Sequence, residues 1–243
     1  MCNKVVIVVP TYNEVGNIPE LLRRLADLDL YELKVVIVDD LSPDGTAYVA
    51  KETGDSIGLE INVIKREKKL GMGSAYICGL GYACNQAVDY IIQMDADLSH
   101  PPEAIPKMLK ILSECDVVVG SRYVQDGKVD SDWNLTRKII SSCGNFITKR
   151  FLGLKPIDIT SGFKAYKSEV LKKIPMQKFY SKGFSFQIEM AYHCQYLNLD
   201  VIEYPILFND RVRGVSKFNF SIILEAMKLM VFLRFKKFIQ GSL

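Results

Sequence analysis

The chain carries almost no net charge. Its 31 lysines and arginines nearly cancel 28 aspartates and glutamates, leaving +3 over 243 residues. That is too little to suggest a nucleic-acid partner. Histidine is scarce, with two copies, and neither stands near cysteine at zinc spacing. The six cysteines, Cys2, Cys78, Cys84, Cys115, Cys143 and Cys194, include no C-x-x-C pair. Most sit inside apolar segments, which fits reduced, buried thiols in a cytosol-facing protein. No window offers the roughly 20 consecutive apolar residues of a membrane span. The first apolar run, residues 5–9, stops at Pro10, too soon for the apolar region of a secretion signal. Several signatures of phosphate binding and hydrolysis are also missing: G-x-x-x-x-G-K-[ST], H-E-x-x-H and G-x-S-x-G. Gly71-Met72-Gly73 is followed by Tyr76 where a dinucleotide-binding turn needs glycine.

What is present is apolar and ordered. Hydrophobic residues make up 49% of the chain, enough for one large domain with a sizeable core. Short β-branched runs at 5–9, 34–38, 61–65, 90–94 and 116–119 are nearly continuous, as in parallel strands buried on both faces. Between the first two lies a helix, with Asn17 as its expected cap, Pro19 in its first turn and Glu20 completing a capping box. Leu21, Leu22, Leu25 and Leu28 give it one buried stripe. Further helices are expected over 74–88, after Pro101-Pro102 with Ile105, Met108, Leu109 and Leu112 inward, and over 135–151 and 184–197. Residues 123–132 read as a loop, 157–166 as strand or turn, and 201–207 as a strand. The alternation predicts an α/β fold with a mainly parallel central sheet flanked by helices. Residues 1–217 form the expected globular domain. Residues 218–243 form an amphipathic helix whose basic end suits a membrane interface or a docking partner.

In open α/β sheets ligands bind beyond the carboxyl ends of the strands. Four strand ends here carry charge: Pro10-Thr11-Tyr12-Asn13-Glu14, Asp39-Asp40, Asp95-Ala96-Asp97, and Gly120-Ser121-Arg122-Tyr123. At a strand-to-loop turn the carboxylates of Asp95 and Asp97 can converge. Such a pair repels itself unless a cation intervenes. Mg²⁺ or Mn²⁺ favours one or two carboxylates together with substrate phosphates. Solvated acidic turns of this spacing are common, and the position after a buried strand is what sets this one apart. Arg211-Val212-Arg213-Gly214-Val215-Ser216-Lys217 is a basic, glycine-containing loop able to fold over a diphosphate.

Taken in order, the segments VPTYNE, VDDLSPDGT, KLGMGSAY, MDADLSHPPE, GSRY, RKIIS, TSGFKAY, KGFSFQIEM and DRVRGVSK resemble family-2 glycosyltransferases of the GT-A fold. Within them they resemble those that mannosylate dolichyl phosphate. The resemblance runs from Val5 to about Lys217. It implies that Pro10, Tyr12, Glu14, Ile37 and Asp39 hold the donor nucleotide. Asp95, Ala96 and Asp97 would form the metal and donor-diphosphate site, with Ser99 where some relatives place glutamine as a further ligand. Arg122, Arg211 and Lys217 would contact donor or acceptor phosphates, and Arg137 and Ser141 would lie near the acceptor phosphate. The implied reaction is inverting transfer of mannose from GDP-mannose to dolichyl phosphate, which feeds glycosylation and GPI-anchor synthesis. The implied setting is peripheral, on the cytosolic face of the endoplasmic reticulum membrane, with small hydrophobic membrane subunits as partners. A phosphate acceptor is already largely dianionic near neutrality, its second pKa being about 6, so no general base is expected. Other readings use the same residues: a UDP-glucose-dependent dolichyl-phosphate glucosyltransferase or another, bacterial-type polyprenyl-phosphate glycosyltransferase, and a non-catalytic nucleotide-sugar-binding subunit. A dinucleotide-dependent oxidoreductase is weakened by the failed glycine fingerprint.

Overall fold

The computed structural model describes residues 3–28, 30–130, 135–210 and 220–240. In chain order its elements are β1 (Val5–Thr11), α1 (Ile18–Ala26), β2 (Leu33–Asp39), α2 (Thr46–Ile57), β3 (Glu60–Lys65), α3 (Met72–Cys84), β4 (Tyr90–Gln93), α4 (Ile105–Leu112) and β5 (Val117–Ser121). There follow β6 (Lys128–Val129), α5 (Leu135–Leu152), β7 (Lys164–Lys167), α6 (Ser168–Leu171), α7 (Phe186–Tyr196), β8 (Val201–Pro205), β9 (Leu207–Phe208) and α8 (Phe220–Gln240).

Seven strands form the central sheet in the order β3-β2-β1-β4-β7-β5-β8. All run parallel except β7, which is antiparallel to both β4 and β5. A small parallel pair, β6 with β9, stands apart. The alternation of side chains along β1 explains the layering. Val5, Ile7 and Val9 face Leu21, Leu22 and Leu25 of α1 and Ile105, Met108 and Leu112 of α4. Val6 and Val8 face Tyr76, Leu80 and Ala83 of α3, with Phe186 and Met190 of α7 behind. Burying each such aliphatic side chain contributes roughly 1.5–3 kcal/mol, so the unbroken valine and isoleucine run is stable only as a strand covered on both sides.

Two expectations change in detail; α2 was not expected, nor was β6, which lies within the residues 123–132 read as a loop. Asn17 does not cap α1: its backbone is already right-handed at φ −102, ψ −34, and it makes no side-chain cap. The first turn starts earlier, because the N–H groups of Asn17 and Ile18 both donate to the carbonyl of Glu14. The Asn17 amide donates instead to Glu14 Oε2 at 2.8 Å. Within 157–166 only the end becomes strand, as β7, and it runs against its neighbours. The helix α2 carries the polar stretch Lys51-Glu52-Thr53-Gly54-Asp55, which hides its thin apolar face from sequence periodicity.

The order 2-1-4 places β1 between strands whose connections leave in opposite directions. β2 returns through α1 on one face and β4 arrives through α3 on the other. Connections that part this way open a crevice at the carboxyl ends of β1 and β4.

Candidate active site

A cavity of about 180 Å³ fills that crevice. One wall is the turn after β1, through Pro10, Thr11, Tyr12 and Glu14; the floor is Asp95, Ala96 and Asp97 after β4. The opposite wall comes from Gly71 and Met72 at the start of α3 and from Gly183 and Phe184 before α7. The loops after β1, β2 and β4 each contain a non-glycine residue with left-handed backbone: Asn13 at φ 60, Leu41 at φ 57 and Leu98 at φ 62. Such conformations cost about 1–3 kcal/mol each and persist where the surroundings over-determine them.

Asp39 supplies part of that determination. It is buried, and its carboxylate accepts the Thr11 hydroxyl at 2.9 Å, the Ser42 hydroxyl at 2.5 Å and the Ser42 N–H at 2.9 Å. Ser42 Oγ in turn accepts the Asn13 N–H at 3.0 Å. Asp39 therefore stitches the first two loops together and does not line the cavity, and Ile37 lies fully in the core. The neighbouring Asp40 reaches the cavity instead. It pairs with Arg66 at 2.5 Å and accepts the N–H groups of Leu70 and Gly71. Lys69 also lines the cavity, its ammonium 3.6 Å from the centre of the Tyr12 ring.

The glycines of the Gly71-Met72-Gly73 segment have a packing reason. Gly71 sits at φ +98, and a Cβ there would meet the Lys182 carbonyl oxygen at 2.7 Å. A Cβ at Gly73 would meet the Gly183 carbonyl oxygen at 2.6 Å. The two glycines let α3 close against the 182–184 loop and complete the wall.

On the floor, Asp95 and Asp97 are held differently. Tyr76 donates its hydroxyl to Asp95 Oδ1 at 2.5 Å, and the Asp95 N–H donates to His100 Nδ1 at 3.0 Å. That bond places the His100 proton on Nε2. Burial keeps the imidazole neutral, lowering its pKa against the opposing pull of Asp95 and Asp97. Burial first, and the Asp95 carboxylate next, hold the Tyr76 phenol protonated far above its ordinary value. Ser99 donates its hydroxyl to Asp97 Oδ1 at 2.5 Å and its N–H to the same oxygen at 3.2 Å. Ser99 thus orients Asp97 from a fully buried position. Two carboxylates with supporting hydroxyls form a hard oxygen donor set suited to Mg²⁺ or Mn²⁺. No cluster of three or more acidic, histidine or cysteine groups able to hold a metal occurs among the described residues, so further ligands would come from bound phosphates or water.

Arg122 is expected at a phosphate but is engaged inside the protein. It makes a two-pronged contact with Asp158, Nε to Oδ2 at 2.8 Å and Nη2 to Oδ1 at 2.7 Å, and donates to Thr160 Oγ1 at 2.7 Å. Burial opposes its charge, but Asp158 outweighs burial and raises the guanidinium pKa. The Phe208 ring links this pair to the floor, 5.3 Å from the guanidinium and 5.4 Å from the His100 ring. Tyr123 continues to α5, where its hydroxyl shares a 2.8 Å hydrogen bond with Ser141. Arg211 and Lys217 lie outside the described residues, as does the side chain of Arg137. Sequence reasoning placed Asp40 beside Asp39 at a charged strand end, and Lys69, Gly71, Gly73 and Tyr76 inside the segment KLGMGSAY, but gave none of them a role. It missed Asp158 altogether.

The profile of Glycosyl transferase family 2 matches residues 6–175. The chain is 38% identical over 224 residues to the undecaprenyl-phosphate mannosyltransferase of Micrococcus luteus, covering 92% of this chain and 91% of that one. It is 36% identical over 225 residues to the polyprenol monophosphomannose synthase of Mycolicibacterium smegmatis, covering 92% and 84%. Among solved structures, glucosyl-3-phosphoglycerate synthase from Mycobacterium tuberculosis, in complex with Mn²⁺, UDP-glucose and glycerol 3-phosphate, superposes with a TM-score of 0.66. That match has 16% identity and covers 97% of this chain and 80% of the other, which shows a shared fold. With a family profile spanning the β1 and β4 loops that build the cavity, the chain belongs to glycosyl transferase family 2 and is a glycosyltransferase.

Proposed function

We propose that this enzyme transfers mannose from GDP-mannose to the phosphate of a polyprenyl lipid such as dolichyl phosphate, with inversion at the anomeric carbon. The observation that carries the reading is the Asp95-Ala96-Asp97 floor of a cavity at the β1–β4 crevice, in a chain whose relatives are mannosyltransferases named for polyprenyl substrates. Tyr12 offers a ring for the donor base, and Lys69 beside it an ammonium for the diphosphate. A divalent cation held by Asp95 and Asp97 would supply positive charge against the donor diphosphate. Arg211 and Lys217 add charge from the basic loop. The acceptor phosphate is anionic as it arrives, so it needs position and partial desolvation, not a base. Ser141 and Arg137 on α5 stand in the segment that supplies that positioning.

A lipid acceptor requires the enzyme to meet a membrane surface. Among the described residues no helix is long and apolar enough to cross one. α5 instead exposes Ile139, Ile140, Phe146, Ile147 and Phe151, and α8 exposes Leu224, Met227, Val231 and Phe235. Lys149, Arg150, Arg234 and Lys236 on the same two helices suit anionic head groups. An endoplasmic reticulum location and association with small hydrophobic subunits belong to the same reading.

The test is a transfer assay with GDP-mannose and either dolichyl or undecaprenyl phosphate, with Mg²⁺ or Mn²⁺ added or chelated. Mannosyl lipid should form and disappear with the metal. Asp97→Asn should lose roughly 10²–10³-fold in turnover with an unchanged melting temperature. GDP should protect better than UDP. Turnover of UDP-glucose but not GDP-mannose would overturn the donor, and absence of turnover on every polyprenyl phosphate would leave a binding subunit.

A further inference from the structure

Asp95 is held from three sides. The Tyr76 hydroxyl donates to Oδ1 at 2.5 Å and His100 anchors the backbone N–H at 3.0 Å. Gly162 faces the carboxylate, so that a Cβ there would lie 3.3 Å from Oδ2 and 3.5 Å from Oδ1. Oδ2 has no hydrogen-bond partner among the described residues. Tyr76 itself is fully buried, and its ring stacks on Phe186 at 5.6 Å between centroids. It stands on α3 one turn after the glycine wall, while Phe186 opens α7 just after the 182–184 loop. One hydroxyl thus ties the floor of the cavity to both parts of its far wall.

We infer that Tyr76 is a positioning residue: it claims Oδ1 of Asp95 and thereby presents Oδ2 to the donor's metal–diphosphate group. This rests on reading Asp95 and Asp97 as the site of that group. The alternative is a tyrosine that merely fills the core, and the fold supplies a matched comparison. Tyr166 is equally buried, but it donates to the neutral amide oxygen of Gln93 at 3.2 Å. Removing either hydroxyl deletes one buried oxygen. Only the first should matter to a cation, because hydrogen bonds to metal-binding carboxylates typically carry 10–100-fold in metal affinity.

The experiment measures Mn²⁺ binding by loss of the free-ion electron paramagnetic resonance signal, at saturating GDP, for the wild type, Tyr76→Phe and Tyr166→Phe. Both substitutions keep the ring and its packing, and melting curves by circular dichroism verify the fold. Tyr76→Phe should weaken Mn²⁺ binding about 10–100-fold, leave GDP binding in chelator unchanged, and differ from Tyr166→Phe, which should stay within about twofold of wild type. Equal Mn²⁺ affinity in Tyr76→Phe and wild type would overturn the inference. So would equal weakening in both variants, which marks loss of core order. A wild-type protein that binds no Mn²⁺ with GDP would instead sink the reading of the acidic pair itself.

Discussion

Asp39 and Asp40 leave β2 as neighbours, and strand alternation sends their side chains to opposite sides. One stitches two loops; the other turns to Arg66 and the cavity. The Asp158–Arg122 pair is the most enclosed ionic contact at the site, with side-chain exposures of 0% and 9%. Removing one member of such a pair strands a buried charge and costs about 3–5 kcal/mol. Asp158→Ala should therefore lower stability by that amount in urea titration, and a loss below about 1 kcal/mol, as for an exposed pair, would contradict the buried assignment. The sign with pH follows. Burial pushes the Asp158 carboxyl up, but Arg122 outweighs it and the net pKa lies below the ordinary carboxylate value. Its contribution is present above about pH 4 and is lost as pH falls through the lower folded value. None of this pairing is visible in sequence, where 36 residues separate the two partners. The acidic pair was legible because both its residues leave one strand; Tyr76, 19 residues from Asp95, reads only as an apolar helix position.

At the scale of elements, α8 has two faces with different work. Leu229 and Leu233 are buried against Leu152, Leu154, Ile159, Ile188 and Tyr192, so the helix is part of the core as well as a candidate contact surface. Leu233→Ala should cost about 2–5 kcal/mol in thermal or urea unfolding; no measurable loss would mean that the helix does not dock. The same face reaches the cavity, because Glu225 Oε1 accepts the Gly183 N–H at 3.1 Å and Phe232 stacks on Tyr180 at 5.2 Å. His193 of α7 lies beneath, stacked on Phe179 at 4.9 Å. Burial, aided by Lys236, pushes its pKa down to about 4. The unfolded chain takes up this proton near pH 6.5, so stability should fall as pH drops from about 6.5 to about 4 and then level. Melting temperatures across that window should fall less steeply in His193→Gln; identical slopes would show that His193 titrates normally. Element by element, five parallel strands were legible because each is a nearly continuous apolar run, although β3, at the sheet edge, is not buried on both faces as expected. The reversal of β7 was not, since the four residues Lys164–Lys167 carry no mark of direction. The double role of α8 was half legible: its apolar residues nearly encircle the helix, and only packing decides which side is covered.

For the whole molecule, the proposed reaction poses the question of how a nucleotide-sugar donor and a lipid acceptor would meet at one cavity. The two helices that each expose several large apolar side chains are both tied to the site. α5 reaches it through Ser141, Tyr123 and Arg122, and α8 reaches it through Glu225 and Gly183. Leu224, Met227, Val231 and Phe235 recur at three- and four-residue spacing on α8, opposite its buried stripe, and Ile140, Ile147 and Phe151 line up similarly on α5, with Ile139 and Phe146 beside them. Seating these faces in the acyl boundary would bring a polyprenyl phosphate to the α5 end of the site without moving the donor cavity. Each large apolar side chain transferred from water contributes roughly 1.5–3 kcal/mol, so three of them should decide binding. The triple change Phe146→Ser, Ile147→Asn and Phe235→Ser should therefore reduce the fraction co-floating with phosphatidylglycerol-containing vesicles by well over about tenfold. Because all three residues are exposed, melting temperature and GDP affinity should stay unchanged. Transfer to a short, water-soluble isoprenyl phosphate should survive, while transfer to long polyprenyl phosphate in vesicles should fall. If the triple variant floats as the wild type does, the apolar face is not the membrane contact. If it loses both acceptors equally, α5 acts on the chemistry of the site and not on access to the lipid.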